Sequence, residues 1–127
     1  MDPLSILVVD DEASICLLLR DVLTRFGHQV ETCQDGTKAV ELASQQEFDL
    51  VFLDIRMPGM SGLEALRNLR ELRPNTAFVM ITGYAQTDVM EECLRSGAAA
   101  CLSKPFSISQ VVKVLQEITG AKPVAAR

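Results

Sequence analysis

The sequence predicts an α/β domain: a doubly wound, open sheet of five parallel strands alternating with five helices. Three observations predict it. Short apolar runs alternate along the chain with amphipathic segments of helical period. Most of those runs are continuously apolar, as strands covered on both faces must be, and lack the alternation of a half-wet strand. The number of such units is too small to close a (β/α)8 barrel, which leaves an open sheet.

The elements follow in order. The first strand lies at 6–9, ILVV. In the helix after it, Ile15, Leu19, Val22, Leu23 and Phe26 share one face, and Gly27 ends it. A weaker run at 30–33 gives the second strand, and a helix over 37–45 turns Ala39, Val40 and Ala43 inward. The third strand is 50–53, LVFL. Ser61 and Glu64 have capping-box spacing and open a third helix with the stripe Leu63, Leu66, Leu69 and Leu72, which Pro74 stops. The fourth strand is 78–81, FVMI, and its helix spans 88–96 and is closed by Gly97. The fifth strand is 100–102. Ser107 and Gln110, again spaced as a capping box, open a helix carrying Val111, Val114, Leu115 and Ile118 up to Gly120. Residues 1–120 are expected to form one domain, and 121–127 a tail or the start of a linker.

Composition narrows the function. The 127 residues suffice for a single domain. No apolar run approaches the ~20 residues a bilayer span needs. Asp2 and the acids at 10–12 come too early for a secretory signal, so a cytoplasmic location is expected. Seventeen acidic against twelve basic side chains give a net charge of −5. That balance argues against direct contact with nucleic acid, whose phosphates need a basic footprint, and suits metal cations. Cys16, Cys33, Cys93 and Cys101 form no C-x-x-C pair and His28 is the single histidine, so no zinc site is expected. The thiols are expected to be reduced and mostly buried.

In open α/β sheets ligands bind beyond the carboxyl ends of the strands, at the switch point. Asp10 and Asp11 follow the first run, Asp54 the third, Thr82 the fourth and Lys104 the fifth. With strands ordered 2-1-3-4-5, the first and third are neighbours, and Asp10, Asp11 and Asp54 converge beside Thr82 and Lys104. Gathered carboxylates repel, and unaided at least one retains a proton. A hard cation relieves the repulsion, and an oxygen-lined site suits Mg²⁺. No G-x-G-x-x-G follows the first strand, which disfavours a nucleotide cofactor there. An ionised carboxylate beside Mg²⁺, a lysine and a hydroxyl is a competent phosphoryl acceptor. Taken singly, each of these residues has a plainer reading. Asp11 or Glu12 could be a helix N-cap, Thr82 structural, and Lys104 a surface lysine.

With these residues in place, the chain resembles the receiver domain of two-component response regulators, and hence the flavodoxin-like, CheY-like fold. The resemblance covers about residues 4–119 and rests on V-V-D-D-E at 8–12, L-D-I-R-M-P-G-M-S-G at 53–62, I-T-G-Y at 81–84 and K-P-F at 104–106. It implies Asp54 as phosphoacceptor. It further implies Mg²⁺ held by Asp11 directly, Asp10 through water, Asp54 and the backbone carbonyl of Arg56. Lys104 would pair with the phosphoryl group, with a cis bond to Pro105, and Thr82 would hydrogen-bond a phosphoryl oxygen and shift on activation. The face formed by the fourth helix, fifth strand and fifth helix would change population and meet a homodimer partner or effector. The donor would be a sensor histidine kinase or histidine phosphotransfer protein, docking on the first helix through Ile15 and Leu17. The family's aromatic switch position, three before the lysine, is Cys101 here, so an aromatic rotation is not implied. Tyr84 either takes part of that role or covers the site, and with Arg56 it flanks the phosphoryl position, where it would slow loss of the group.

Two other functions compete. An Mg²⁺-dependent hydrolase with an aspartyl nucleophile wants D-x-D after the first strand and usually a cap insertion, whereas D-D-E and no insertion stand here. A dimerisation or scaffold module would work irrespective of phosphate. A receiver would catalyse only its own phosphorylation and dephosphorylation and would not be a turnover enzyme. Whether it is a stand-alone regulator or the N-terminal part of a longer one stays open.

Overall fold

The structure, a computed structural model, describes residues 3–83 and 87–120. Strands and helices alternate as β1 (Ser5–Val9), α1 (Ala13–Arg25), β2 (Gln29–Cys33), α2 (Gly36–Gln45), β3 (Leu50–Asp54), α3 (Gly62–Leu72), β4 (Ala77–Thr82), α4 (Thr87–Arg95), β5 (Ala100–Ser103) and α5 (Ile108–Thr119). The sheet is parallel throughout and ordered β2-β1-β3-β4-β5, the fold class the sequence predicts.

Successive strand side chains point to opposite faces, so each strand feeds two cores. Leu7, Val9, Val51, Leu53 and Met80 pack under α2, α3 and α4 with Ala43, Leu66 and Cys93. Ile6, Val8, Phe52, Val79 and Ile81 pack under α1 and α5 with Leu19, Leu23, Val111 and Leu115. This double covering explains the continuous apolar runs. The edge strand β2 is only half covered, and Gln29 and Glu31 reach solvent from it. A charge on an edge also discourages pairing with another chain.

Several boundaries differ from the sequence expectation. Phe26 is the C-cap of α1, not part of its buried stripe, and is 50% exposed. Leu72, the last residue of α3, is likewise exposed, at 40%. Asp35 caps α2, accepting from the Lys38 N–H at 2.7 Å, so the helix begins at Gly36 and not at 37. Helix α4 spans Thr87–Arg95, one residue earlier at each end than the periodicity suggests. Ser61 accepts from the Glu64 N–H at 3.2 Å. The reciprocal box is closed at Ser107 and Gln110. His28 is buried, and its Nδ1 accepts the Leu4 N–H at 3.0 Å, tying the entry of β1 to the α1–β2 corner. Burial pushes its pKa down.

The turn from β3 into α3 is closed by a close backbone approach. The Gly62 N–H donates to the Ile55 carbonyl at 2.8 Å. A Cβ at position 62 would overlap the Asp54 carbonyl and lie 2.5 Å from the Ile55 Cα. Backbone atoms in a ladder cannot give way as a side-chain tip can. Gly62→Ala is therefore expected to lose about 1–3 kcal/mol of stability in urea denaturation, and an unchanged midpoint would show that the turn is looser than described.

Candidate functional site

The parallel register brings the C-terminal ends of the strands to one edge. Val9 is level with Leu53 and with Cys33, and Thr82 is level with Ser103. The residues that follow thus emerge together: Asp10 and Asp11 after β1, Asp54 at the end of β3, Thr82 at the end of β4 and Lys104 after β5.

Asp10 is fully buried. Its N–H donates to the Cys33 carbonyl at 3.2 Å, and its own carbonyl accepts from the Cys16 thiol at 3.3 Å. Its Oδ1 accepts the Glu12 N–H at 2.9 Å and lies 3.3 Å from Lys104 Nζ. Its Oδ2 is ion-paired with Lys104 at 3.0 Å but receives no hydrogen bond from the described residues. Asp54 is also buried, with Oδ1 accepting the Arg56 N–H at 3.2 Å and Oδ2 3.6 Å from Lys104 Nζ. Asp11 is exposed at the rim.

Electrostatics follow from this crowding. The Asp54 carboxyl is pushed up to about 7, first by burial, then by the charge of Asp10 and contact with the Asp11 carboxyl, while Lys104 and the Arg56 N–H oppose the rise. For Lys104, burial disfavours the charge, but hydrogen bonds to Glu12 and Asp10 outweigh it and the pKa is raised. The lysine is held from the other side as well: its N–H donates to the Thr82 carbonyl at 2.7 Å. The bond from Lys104 to Pro105 is cis.

The donor set fits a hard divalent cation. Asp10, Asp11 and Glu12 each offer an oxygen within 4.8 Å of one another's. Among the described residues the buried Asp10 Oδ2 receives no hydrogen bond, and burial with the neighbouring acids pushes the Asp54 pKa up despite Lys104. One or two carboxylates with several retained waters is the coordination Mg²⁺ usually takes.

The receiver-domain pattern of response regulators matches residues 6–116. The chain belongs to the response regulator receiver domain family. It is 35% identical over 116 residues to the transcriptional regulatory protein ZraR of Klebsiella oxytoca, covering 91% of this chain and 26% of that one. It therefore spans about a quarter of that relative's length. It is 33% identical over 106 residues to sporulation initiation phosphotransferase F of Bacillus subtilis, covering 84% of this chain and 86% of that one. Among solved structures, the receiver domain of the sensor histidine kinase PA1611 from Pseudomonas aeruginosa superposes with a TM-score of 0.83 at 28% identity. The match covers 94% of this chain and all of that one, and that structure carries a magnesium ion in its active-site cleft. Receivers of this family serve two-component and phosphorelay signalling.

Measured against the sequence expectations, Asp10, Asp54, Thr82 and Lys104 do converge, and Asp11 stands at their rim. Cys101 is half-buried on β5 beside Met80, against the core that contains Cys93. Tyr84 lies outside the described residues. Ile15 is half-buried at the site end of α1, and Leu17 is 63% exposed on the helix's outer face. The residue that sequence reasoning passed over is Glu12. It is the N-cap of α1 but makes no capping bond, and its Oε1 lies 2.6 Å from Lys104 Nζ. The signal was there in the third acid of D-D-E: a glutamate is too long to cap its own helix and is free to reach elsewhere.

The raised Asp54 pKa has a sign that can be checked. The folded, metal-free protein binds that proton more tightly than the unfolded chain. Stability therefore falls as pH rises from about 4 to about 7 and stays reduced above it. In chelator at pH 8, Asp54→Asn is expected to stabilise the protein by roughly 1–3 kcal/mol in thermal or urea unfolding, with the gap closing toward pH 4. A variant less stable than wild type at pH 8 would contradict the repulsion.

Proposed function

We propose that this receiver accepts a phosphoryl group on Asp54, from a sensor histidine kinase or a histidine phosphotransfer protein, with Mg²⁺ as cofactor. The observation that carries this reading is a buried, strand-end carboxyl with an ammonium 3.6 Å away and a cluster of acids beside it. In the reaction, an Asp54 carboxylate oxygen bonds to phosphorus. The bond from phosphorus to the donor's imidazole nitrogen breaks, and the electron pair remains on the imidazole. Asp10, Asp11, Asp54 and the backbone carbonyl of Arg56 would hold the cation. When bound, Mg²⁺ neutralises the acids and stabilises charge on the transferring group. Lys104 pairs with a phosphoryl oxygen, and the Thr82 hydroxyl donates to another. Because the Lys104 N–H is bonded to the Thr82 carbonyl, a shift of either is felt at the C-terminal ends of both β4 and β5.

The switching surface in this reading is the face made by α4, β5 and α5, with Thr82 and Cys101 beneath it. Cys101 stands where an aromatic ring would otherwise rotate, so Thr82 moves against a small side chain. Tyr84, two positions after Thr82 in the sequence, is assigned a covering role that slows loss of the phosphoryl group. A homodimer or a downstream effector would read that face. Residues 1–120 form the receiver unit, 121–127 a tail or linker start, and the protein works in the cytoplasm without a turnover substrate. Among the described residues no helix is long and apolar enough to cross a membrane.

The kinase-side partner docks on α1 in this reading. Ile15 and Leu17 present apolar surface there. Leu18, Phe106 and Ile108 line a shallow groove between α1 and the start of α5 that extends it.

Two outcomes are expected. After incubation with acetyl phosphate and Mg²⁺, intact-mass spectrometry should show one adduct of about 80 Da, the mass of one phosphoryl group, which is absent from Asp54→Asn. Full labelling of Asp54→Asn would overturn the assignment. In phosphotransfer assays, Ile15→Glu or Leu17→Glu should slow transfer from the protein donor at least ~10-fold, as loss of a buried interface anchor does, and leave labelling by acetyl phosphate unchanged. Equal slowing of both reactions would place the defect in the site and not in docking.

A further inference from the structure

Lys104 reaches its partners unequally. Its Nζ lies 2.6 Å from Glu12 Oε1, 3.0 Å from Asp10 Oδ2 and 3.6 Å from Asp54 Oδ2. The ammonium is thus drawn away from the carboxyl that would receive the phosphoryl group. Glu12 is well placed to hold it. Its backbone is fixed at both ends: its N–H donates to Asp10 Oδ1 at 2.9 Å, and its carbonyl accepts from the Ile15 and Cys16 N–H groups. Its side chain has no capping duty. Two methylenes carry the carboxylate from that fixed point across to the lysine. The lysine side chain is largely buried and has little other freedom, with 13% of its surface exposed.

We propose that Glu12 is a positioning residue that captures Lys104 in the unphosphorylated protein and competes with the phosphoryl group for it. This rests on the reading of Asp54 as phosphoacceptor. In the resting state the Glu12 carboxylate completes the lysine's charge balance. On phosphorylation Lys104 must leave Glu12 to pair with a phosphoryl oxygen, so the Glu12 contact sets part of the threshold between the two states. A cation held by Asp10 and Asp54 weakens the pull of those two carboxylates on the ammonium, which leaves Glu12 as its strongest resting partner. A charge at residue 12 could also act directly, by repelling an anion bound at Asp54. Reach separates the two effects: Glu12→Gln removes the charge, whereas Glu12→Asp keeps it but shortens the arm.

The test is the affinity for fluoroberyllate, a phosphoryl mimic, at saturating Mg²⁺. It is read by titration for wild type, Glu12→Gln and Glu12→Asp, each also in a Lys104→Met background. Both Glu12 variants are expected to bind about 2- to 5-fold more tightly than wild type, the range for one partly exposed ion pair. In the Lys104→Met background both gains should vanish. A second readout needs no loaded site: in the metal-free protein, both variants should move the Lys104 Nζ and Cε resonances together, as release from one carboxylate requires. Tightening by Glu12→Gln alone, or tightening that survives Lys104→Met, would assign the effect to direct repulsion and overturn the proposal. If wild type binds fluoroberyllate and the variants match it, the proposal fails and the phosphoacceptor reading stands. If wild type fails to bind, the phosphoacceptor reading falls and the proposal with it.

Discussion

Carboxylates taken out of water are costly unless positive charge meets them, and this protein places two of them, Asp10 and Asp54, almost wholly out of water at adjacent strand ends. One ammonium, that of Lys104, serves both. A single positive charge does not offset the burial of Asp54 together with the charge of Asp10 and the contact with Asp11, and the Asp54 pKa is pushed up. The site is therefore under electrostatic tension of its own making. A divalent cation would relieve it, and in the proposed function that is how the site comes to accept phosphoryl charge.

The rest of the fold keeps that tension in place. A doubly covered parallel sheet fixes the strand ends to one another through its ladder, so the acids cannot drift apart. The turn after β3 is locked by the Gly62 approach to the Asp54 and Ile55 backbone. The loop after β1 is locked by the Cys16 thiol on the Asp10 carbonyl and by the Glu12 N–H on the Asp10 carboxylate. On the far side the Lys104 N–H holds the Thr82 carbonyl. That bond joins the ends of β4 and β5, so in the proposed function a movement of the lysine would be felt at both strands.

The strands could be read from the sequence because burial on both faces leaves them continuously apolar, and β2 was the weakest because one of its edges is open. The convergence of Asp10, Asp54, Thr82 and Lys104 was legible once the strand order was supplied, since each follows an apolar run directly or within two residues. Helix ends were less legible. Periodicity includes Phe26 and Leu72 in their stripes, but nothing in a stripe says at which residue the helix itself ends. Asp35 was missed as a cap because its own run is weak. Glu12 was missed for a different reason. Its partner lies 92 positions away, and local pattern assigns an acid before a helix to capping, a task for which this side chain is too long.

Isothermal calorimetry of Mg²⁺ binding, repeated in buffers of different ionisation enthalpy, tests the central claim most directly. At pH 7 the expected result is one ion bound per chain with net proton release, because the cation displaces the proton that the raised Asp54 pKa favours. Proton release should disappear in Asp54→Asn. Absence of magnesium uptake, or uptake with the same proton count in both proteins, would contradict it.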